Sequence, residues 1–185
     1  DATGAVHIAN YYDLNFQASP CLCPLPEAID QTRAVLAESV RLRLRSDVEV
    51  GTYLSGGLDS SITTLLAVQH SNHTVRTFSV SFEDASFDEA DAQTLVSQHL
   101  GTSHTSLRIA NQAIAEAFPH ALWHAETPVF RTAFVPMYLL AQQVQAAGIK
   151  VVLTGEGADE AFLGYDIFKE TLLRSQWSQL TTGEE

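Results

Sequence analysis

The feature that most constrains this chain is the stretch at residues 50–61, which has the pattern of a strand, a glycine turn and the start of a helix. An apolar run leads into Ser55, Gly56 and Gly57, and Asp59 follows one residue later. The first backbone N–H groups of a helix have no partner within the helix, and the helix dipole adds partial positive charge there. Because glycines let the backbone curl closely around a ligand, this order predicts a seat for a phosphate or pyrophosphate group.

Asp59 would repel a phosphate in that seat unless a cation lay between them. Mg²⁺ bound to phosphates takes one or two carboxylates, so Asp59 is predicted to be a magnesium ligand. A Walker loop is excluded, since no lysine follows the glycines. An ordinary glycine-serine turn is the alternative. Ser60 or Ser61 as a covalent nucleophile would need a nearby base that the sequence does not identify.

The rest of the chain alternates between predicted strands and predicted helices. Strands are predicted at residues 49–54, 75–82, 103–109 and 149–154, with a further short strand at 6–14, and helices at 27–45, 62–69, 88–100, 112–124, 133–147 and 160–176. This alternation indicates an α/β fold, a parallel sheet with helices on both faces. Ligands of such sheets bind at the carboxyl ends of the strands where strand order reverses, so the loops after Leu54 and Thr154 are expected to meet there.

Composition excludes several classes of partner. The net charge of −12 argues against a nucleic-acid backbone, which needs clustered lysines and arginines, and more weakly against anionic membranes. The sequence has no run of 18 apolar residues, so no membrane-spanning helix is predicted. Cys21 and Cys23 are interpreted as reduced thiols of a cytoplasmic protein. A Cys-x-Cys metal site would need further ligands nearby in sequence, and none occur.

A second acidic run follows the last predicted strand. It consists of Thr154, Gly155, Glu156, Gly157, Ala158, Asp159 and Glu160. Carboxylates at a helix N-terminus complement the dipole, which accounts for Asp159 and Glu160 but less well for Glu156 in the glycine turn. If the sheet brings this run beside the first loop, Asp59 and Asp159 would share a magnesium ion on the pyrophosphate, and Glu156 would contact the other reacting group.

Together the two runs resemble those of a known family. Ser-Gly-Gly-Leu-Asp-Ser at residues 55–60 resembles the pyrophosphate loop of the N-type ATP pyrophosphatases, which cleave ATP between the α and β phosphates. With the Gly-Glu-Gly-Ala-Asp-Glu run at 155–160, and the runs at 78–80 and 136–140 between them, the chain is similar to the synthetase domain of glutamine-hydrolysing asparagine synthetases. It is similar also to β-lactam synthetases and other amide-forming relatives. The resemblance covers residues 11–174 and implies a three-layer, Rossmann-like fold of the adenine nucleotide alpha hydrolase type.

The resemblance implies ATP-dependent amide synthesis with Mg²⁺. ATP would activate the side-chain carboxylate of aspartate as an acyl-adenylate, releasing pyrophosphate, and ammonia would attack the acyl carbon. The implied ATP and pyrophosphate contacts are Leu54, Ser55, Gly56, Gly57, Asp59, Ser60, Val80, Thr154 and Gly155, with Leu54, Val80 and Gly155 beside the adenosine. Asp59 and Asp159 would be the metal ligands. Glu156 and Tyr165 would assist the second step by proton transfer, although packing is an equal account of Tyr165.

The chain also departs from the family pattern. The family carries a glutaminase in an N-terminal domain whose first residue is a cysteine nucleophile, whereas this chain begins with Asp1. The family's synthetase domain continues beyond Arg174 with basic residues that help to hold the phosphates. We therefore expect residues 1–26 to be a connector from a missing glutaminase domain, residues 27–176 a truncated synthetase domain, and 177–185 a tail. The chain alone is expected to be a poor or inactive catalyst, and exposed faces leave homo-oligomer formation open.

Several other functions remain alternatives. One is an amide-forming relative acting on another carboxylate, and a second is a nucleotide-binding module without catalysis, which would not need Glu156. A third is another pyrophosphatase-loop enzyme, tRNA-modifying or guanylate-forming, although the acidic balance argues against tRNA. A zinc site at His120 and His124, with Glu116 on the same helix face, lacks the glutamate beside the first histidine that marks metalloproteases.

Overall fold

The structure, a computed structural model, describes residues 23–181 apart from 85 and 87, together with residues 4, 6 and 8–13. Its elements, in chain order, are α1 Leu25–Arg43, β1 Val50–Tyr53, α2 Leu58–His70, β2 Arg76–Phe82, α3 Ala90–Leu100, β3 Ser103–Ile109, α4 Asn111–Ala125, α5 Phe134–Ala146, β4 Val151–Leu153, α6 Ala158–Phe162 and α7 Asp166–Thr181. The chain forms two units. Residues 1–34 include the start of α1, and residues 35–185 contain the sheet and the other helices.

The four strands form one parallel sheet in the order β3-β2-β1-β4. Val50 of β1 pairs with Val151 of β4, and Tyr53 of β1 pairs with Phe78 of β2. Chain order runs outward from β1 to β2 and β3, and β4 then returns to the other side of β1. Strand order therefore reverses between β1 and β4, which is where a sheet of this kind opens a crevice for ligands. The predicted α/β class is confirmed.

Helices cover both faces of the sheet, as β2 shows. Successive side chains of a strand point to opposite faces. On one face Phe78 is fully buried and packs in a cluster with Leu140 and Val144 of α5. On the other face Ser79 donates a hydrogen bond to Gln93 of α3. The order of polar and apolar residues in β2 thus fixes which helix lies on which face.

The centre of the sheet is tied to α2 by a buried polar contact. Thr52 of β1 and Thr64 of α2 are both fully buried, and their hydroxyl oxygens lie 3.0 Å apart. Beside them Leu66 and Ala67 of α2 pack with Val40 of α1 in an apolar cluster. These contacts hold α2 in place, and with it the loop that precedes it.

Glycines end two helices as predicted. Gly101 follows α3 with a left-handed φ of 66°, and its backbone N–H donates to the carbonyl of Gln98. Gly148, after α5, has a φ of 79°. Residues other than glycine rarely adopt this backbone conformation. Both glycines therefore end a helix at a position where a residue with a β-carbon would be strained.

The single helix predicted over residues 160–176 is wrong. Two helices, α6 and α7, occupy this part of the chain, and residues 163–165 separate them. Leu163 adopts a left-handed φ of 59°, a conformation that cannot continue an α-helix. The second helix then continues to Thr181, beyond the predicted end.

The N-terminal predictions fall partly outside the described residues. Residues 6 and 8–13 are not in a strand, contrary to the strand predicted over residues 6–14, of which residues 7 and 14 are not described. Cys21 also lies outside the described residues, as do residues 19, 20 and 22 of the proline-rich segment at 19–26. Within the described part, no helix is both long enough and apolar enough to cross a membrane.

Candidate functional site

The two loops singled out in the sequence meet at the carboxyl edge of the sheet. The first loop, residues 54–57, follows β1, and the second loop, residues 154–157, follows β4. Gly155 of the second loop lies against the start of α2. A β-carbon placed on it would come within 3.0 Å of the Asp59 β-carbon. The expected meeting of the two loops is therefore present in the structure.

A cleft of about 400 Å³ lies over these loops. It is lined by all but one of the residues predicted for the site, namely Leu54, Ser55, Gly57, Asp59, Ser60, Val80, Thr154, Gly155, Glu156, Asp159 and Tyr165. The exception is Gly56. With a φ of 88°, Gly56 turns towards α3, where a β-carbon on it would lie 2.9 Å from that of Ala92. Its predicted phosphate contact remains a prediction, and its visible role is close packing.

Serine side chains hold the curl of the first loop. The hydroxyl oxygens of Ser55 and Ser60 lie 2.9 Å apart, and the Ser60 hydroxyl also receives a hydrogen bond from the Ser55 backbone N–H. The Ser61 hydroxyl donates to the carbonyl of Gly57. Gly57 precedes α2 in an extended conformation and makes no side-chain capping bond. The N-terminus of α2 thus faces the cleft without a side-chain cap, as an anion seat requires.

Leu54 and Val80 differ in how they line the cleft. Leu54 has no exposed surface, and its backbone N–H donates to the carbonyl of Phe78. It supports the wall from within. Val80, at the carboxyl end of β2, is only partly buried. Leu54 and Val80 were both predicted to contact the adenosine, and of these two side chains only that of Val80 is exposed to the cleft.

The second loop presents carboxylates. Gly157 precedes α6 with a φ of 90°, and the backbone N–H of Glu156 lies 3.4 Å from the Thr154 hydroxyl oxygen. The side chain of Asp159 packs directly against Gly164, whose backbone N–H donates to the Asp159 carbonyl. Because glycine has no β-carbon, it leaves room for the Asp159 carboxylate at this point. The break between α6 and α7 therefore contributes to the shape of the site.

Tyr165 donates its phenolic hydrogen to Glu160 at 2.8 Å. This hydrogen bond and the nearby charges of Glu160, Asp159 and Glu156 raise the pKa of Tyr165, because each disfavours a phenolate. From the sequence, Tyr165 was predicted to act together with Glu156, and Glu160 was interpreted as a carboxylate that complements the helix dipole. The structure instead gives Glu160 the hydrogen bond to the phenol.

The cleft is strongly acidic. Five carboxylate residues line it, namely Asp59, Glu89, Glu156, Asp159 and Glu160, and no lysine or arginine is among its described lining residues. Carboxylate oxygens are the donors that Mg²⁺ prefers, and phosphates supply its remaining ligands. Within the described chain, no group of three or more His, Cys, Asp and Glu side chains is arranged to hold a metal alone. The donors therefore fit an Mg²⁺ that arrives with a nucleotide.

The sequence did not predict the other lining residues, which are Tyr53, Phe78, Ser79, Phe82, Glu89, Gln93, Ala133, Pro136, Met137, Leu140, Gly157 and Glu160. Some of these lie in the runs at 78–80 and 136–140 that contributed to the resemblance. The strand order seen in the structure explains others: β2 adjoins β1, so the residues at its carboxyl end lie at the same edge of the sheet. No local pattern marked Glu89 or Ala133.

The zinc alternative finds no support among the described residues, which contain no cluster of three metal-ligating side chains. His124 stacks on Tyr138 of α5, with ring centroids 5.4 Å apart. Glu116 accepts a hydrogen bond from Gln112 of its own helix. These side chains serve packing and helix stability.

Comparisons with known proteins agree with this geometry. A family model described as asparagine synthase matches residues 31–183. A putative glutamine-hydrolysing asparagine synthetase of Mycobacterium tuberculosis is 37% identical over 166 residues, which make up 89% of this chain and 25% of the relative. Asparagine synthetase 1 of Bacillus subtilis is 32% identical over 180 residues, 97% of this chain and 28% of the relative. The chain thus spans about a quarter of the length of these curated relatives.

Among solved structures, an ammonia-dependent NAD synthetase from Campylobacter jejuni aligns with 74% of this chain and 60% of its own. The TM-score is 0.50 and the sequence identity 18%. This likeness supports the fold, a parallel sheet of the Rossmann-like class.

Proposed function

Because the chain belongs to the asparagine synthase family, we propose that it is the ATP-binding part of an amide-forming ligase. The observation that carries the proposal is the meeting of the two loops at the reversal of strand order. Asp59, Glu156 and Asp159 line one cleft there, beside the start of α2. A binding module without chemistry would not need Glu156 in addition to two metal-binding carboxylates.

The first loop would hold the pyrophosphate portion of ATP. Ser55, Gly57 and Ser60 offer hydroxyl and backbone donors at the uncapped start of α2. Asp59 and Asp159 would hold Mg²⁺, which would neutralise charge on the phosphate oxygens as a Lewis acid. Val80 and Gly155 would contact the adenosine.

The proposed reaction has two steps. In the first, a carboxylate oxygen of the acid attacks the α-phosphorus of ATP, the bond from that phosphorus to the β-bridging oxygen breaks, and pyrophosphate leaves. In the second, the ammonia nitrogen attacks the acyl carbon, the bond from that carbon to the AMP oxygen breaks, and AMP leaves. Glu156 would accept a proton from the attacking ammonia. The raised pKa of Tyr165 keeps its phenol protonated, and its one hydrogen is donated to Glu160, so Tyr165 would orient groups through its phenolic oxygen as a hydrogen-bond acceptor.

Aspartate is the acid that we propose, since the relatives are named asparagine synthetases. Another carboxylate, as in β-lactam synthetases, is the second candidate. Ammonia would come from a glutaminase domain outside this chain, and the reaction would take place in the cytoplasm. A panel of acids tested for ATP-dependent pyrophosphate release separates these substrates.

The decisive experiment is calorimetric titration of Mg-ATP into the chain and its Asp59→Asn variant. Loss of the carboxylate is expected to weaken binding by about tenfold or more, roughly 1.4 kcal/mol. Asp47→Asn removes the same charge at an exposed position away from the cleft and is expected to bind like the parent chain. A folded chain that does not bind Mg-ATP, or equal affinity in Asp59→Asn, would overturn the proposal.

The chain alone is proposed to be a poor catalyst, because its acidic cleft lacks basic phosphate ligands among the described lining residues. Aspartate-dependent pyrophosphate release with added ammonia should therefore be slow. A rate equal to that of a full-length relative would contradict this part of the proposal.

A further inference from the structure

His104 of β3 hydrogen-bonds through both ring nitrogens to the neighbouring strand. Its Nδ1 lies 2.8 Å from the Thr77 hydroxyl oxygen, and its Nε2 lies 3.2 Å from that of Ser79. Thr77 and Ser79 are almost fully buried, and His104 itself is partly buried. None of these contacts has a place in the proposed reaction.

The direction of these hydrogen bonds follows from Gln93. Its side-chain N–H donates to the Val80 carbonyl at 2.9 Å, so its amide oxygen faces Ser79 and accepts the Ser79 hydroxyl hydrogen at 2.7 Å. Ser79 has then used its one hydrogen and must accept from His104 Nε2–H. The neutral ring in turn accepts at Nδ1 from the Thr77 hydroxyl. Burial lowers the pKa of His104, which favours this neutral form.

Gln93 connects this chain of hydrogen bonds to the first loop. It lies in the first turns of α3 and is 2% exposed. A β-carbon on Gly56 would lie 3.1 Å from the Gln93 backbone nitrogen and 2.9 Å from the Ala92 β-carbon. The curl of the first loop is therefore packed against the part of α3 that Gln93 anchors.

We propose that His104 is a positioning residue for the first loop, acting through Ser79 and Gln93 to hold the start of α3 against Gly56. The packing part of this proposal concerns the free protein. Its consequence for nucleotide affinity rests on the proposed function. If His104 only fills space, losing the hydrogen bond from its Nε2–H to Ser79 should leave the first loop unchanged.

Two substitutions at this position distinguish the roles. His104→Gln keeps an N–H donor near the position of Nε2, whereas His104→Asn places its amide near Nδ1 and cannot reach Ser79. Exposed His99 supplies matched controls, His99→Gln and His99→Asn. The readouts are the Mg-ATP dissociation constant and the amide ¹H–¹⁵N shifts of Gly56 and Gly57 without ligand.

We expect His104→Asn to shift the Gly56 and Gly57 amides and to weaken Mg-ATP binding by about tenfold. His104→Gln should restore both readouts to near those of the parent chain, and the His99 variants should change neither. Unchanged amides and affinity in both His104 variants overturn the proposal, as does an equal change in both.

A third variant covers the case in which neither His104 variant folds. Ser79→Ala keeps the imidazole but removes the hydroxyl that joins it to Gln93, so it should shift the same two amides. Unshifted amides in Ser79→Ala overturn the proposal. If the parent chain does not bind Mg-ATP, the proposed function fails alone, and the amide shifts still decide the role of His104.

Discussion

Gly155 of the second loop lies directly against the backbone at the start of α2, because a β-carbon placed on it would be only 2.8 Å from the Ser60 nitrogen. The same β-carbon would lie 3.0 Å from the Asp59 carbonyl carbon. Both neighbours are backbone atoms, so no flexible side-chain end can yield. The second loop can therefore pack this closely beside the first loop only if residue 155 has no side chain.

Gly155→Ala is expected to separate the two loops. The overpacking should lower the free energy of unfolding by about 1–3 kcal/mol and weaken Mg-ATP binding. Gly148→Ala is the control: its β-carbon meets no atom within 4 Å, but its φ of 79° is strained for alanine. The control should lose stability, by about 1–2 kcal/mol, and keep its affinity. Equal Mg-ATP affinities in calorimetry for Gly155→Ala and the parent chain would argue against loop contact.

Removing magnesium should abolish nucleotide binding. The described lining of the cleft carries five carboxylates and no lysine or arginine, so free ATP would meet repulsion from all five. Calorimetric titration of ATP with excess EDTA should give no heat above dilution, and adding Mg²⁺ should restore binding. Tight binding of metal-free ATP would show that cations outside the described lining neutralise the phosphates.

The buried pair Thr52 and Thr64 should behave non-additively. Thr52→Val or Thr64→Val leaves one hydroxyl buried without its partner and should cost about 1–3 kcal/mol of unfolding free energy. The double variant should cost less than the sum, because no orphaned hydroxyl remains. Urea denaturation of all four proteins measures the coupling. Strict additivity would mean that the two hydroxyls contribute independently.

Tyr165 should ionise at higher pH than an ordinary tyrosine, because Glu160, Asp159 and Glu156 disfavour its phenolate. Spectrophotometric titration of the parent chain, minus that of Tyr165→Phe, isolates this one phenol. Glu160→Gln removes the nearest charge and should bring the pKa of Tyr165 back towards its usual value. Glu116→Gln, away from the cleft, serves as control, and an equal shift in both would refute the local cause.

His104 should make the fold sensitive to acid. Its pKa is lowered by burial, so below the ordinary histidine value of about 6.5 the unfolded chain binds more protons than the folded chain. Stability from the neutral ring is complete above that pH and is lost as pH falls towards the lower folded pKa. Urea denaturation at pH 7.5 and 5.5 should show that the advantage of the parent chain over His104→Gln shrinks in acid. An advantage that stays constant would contradict the lowered pKa.

Local patterns predicted the sheet well. The predicted strand at residues 103–109 coincides with β3, and the other three strands lie within their predicted ranges. β1, β2 and β4 are short runs rich in apolar, aromatic or β-branched residues, a signal that needs no tertiary information. The crevice between β1 and β4 followed from the general rule for open parallel sheets.

Tertiary packing decided what the sequence could not. A lone glycine inside a helical pattern costs only about 1 kcal/mol, so Gly164 did not reveal the break between α6 and α7. Gly56 was grouped with the phosphate contacts, because its packing against Ala92 depends on where α3 docks. Met137 enters the cleft for a similar reason: a helix pattern shows an apolar face but not which strand end it covers.

The strand order also determines when the cleft can form during synthesis of the chain. Val50 and Val151 are register partners, yet about a hundred residues separate them along the chain. At roughly 5–20 residues per second, a ribosome needs about 5–20 seconds to make the intervening segment. Throughout that interval the nascent chain carries the first loop without the strand that completes its crevice. The cleft therefore cannot assemble until β4 has been made, and a chain that stops before β4 carries the loop sequence without the site.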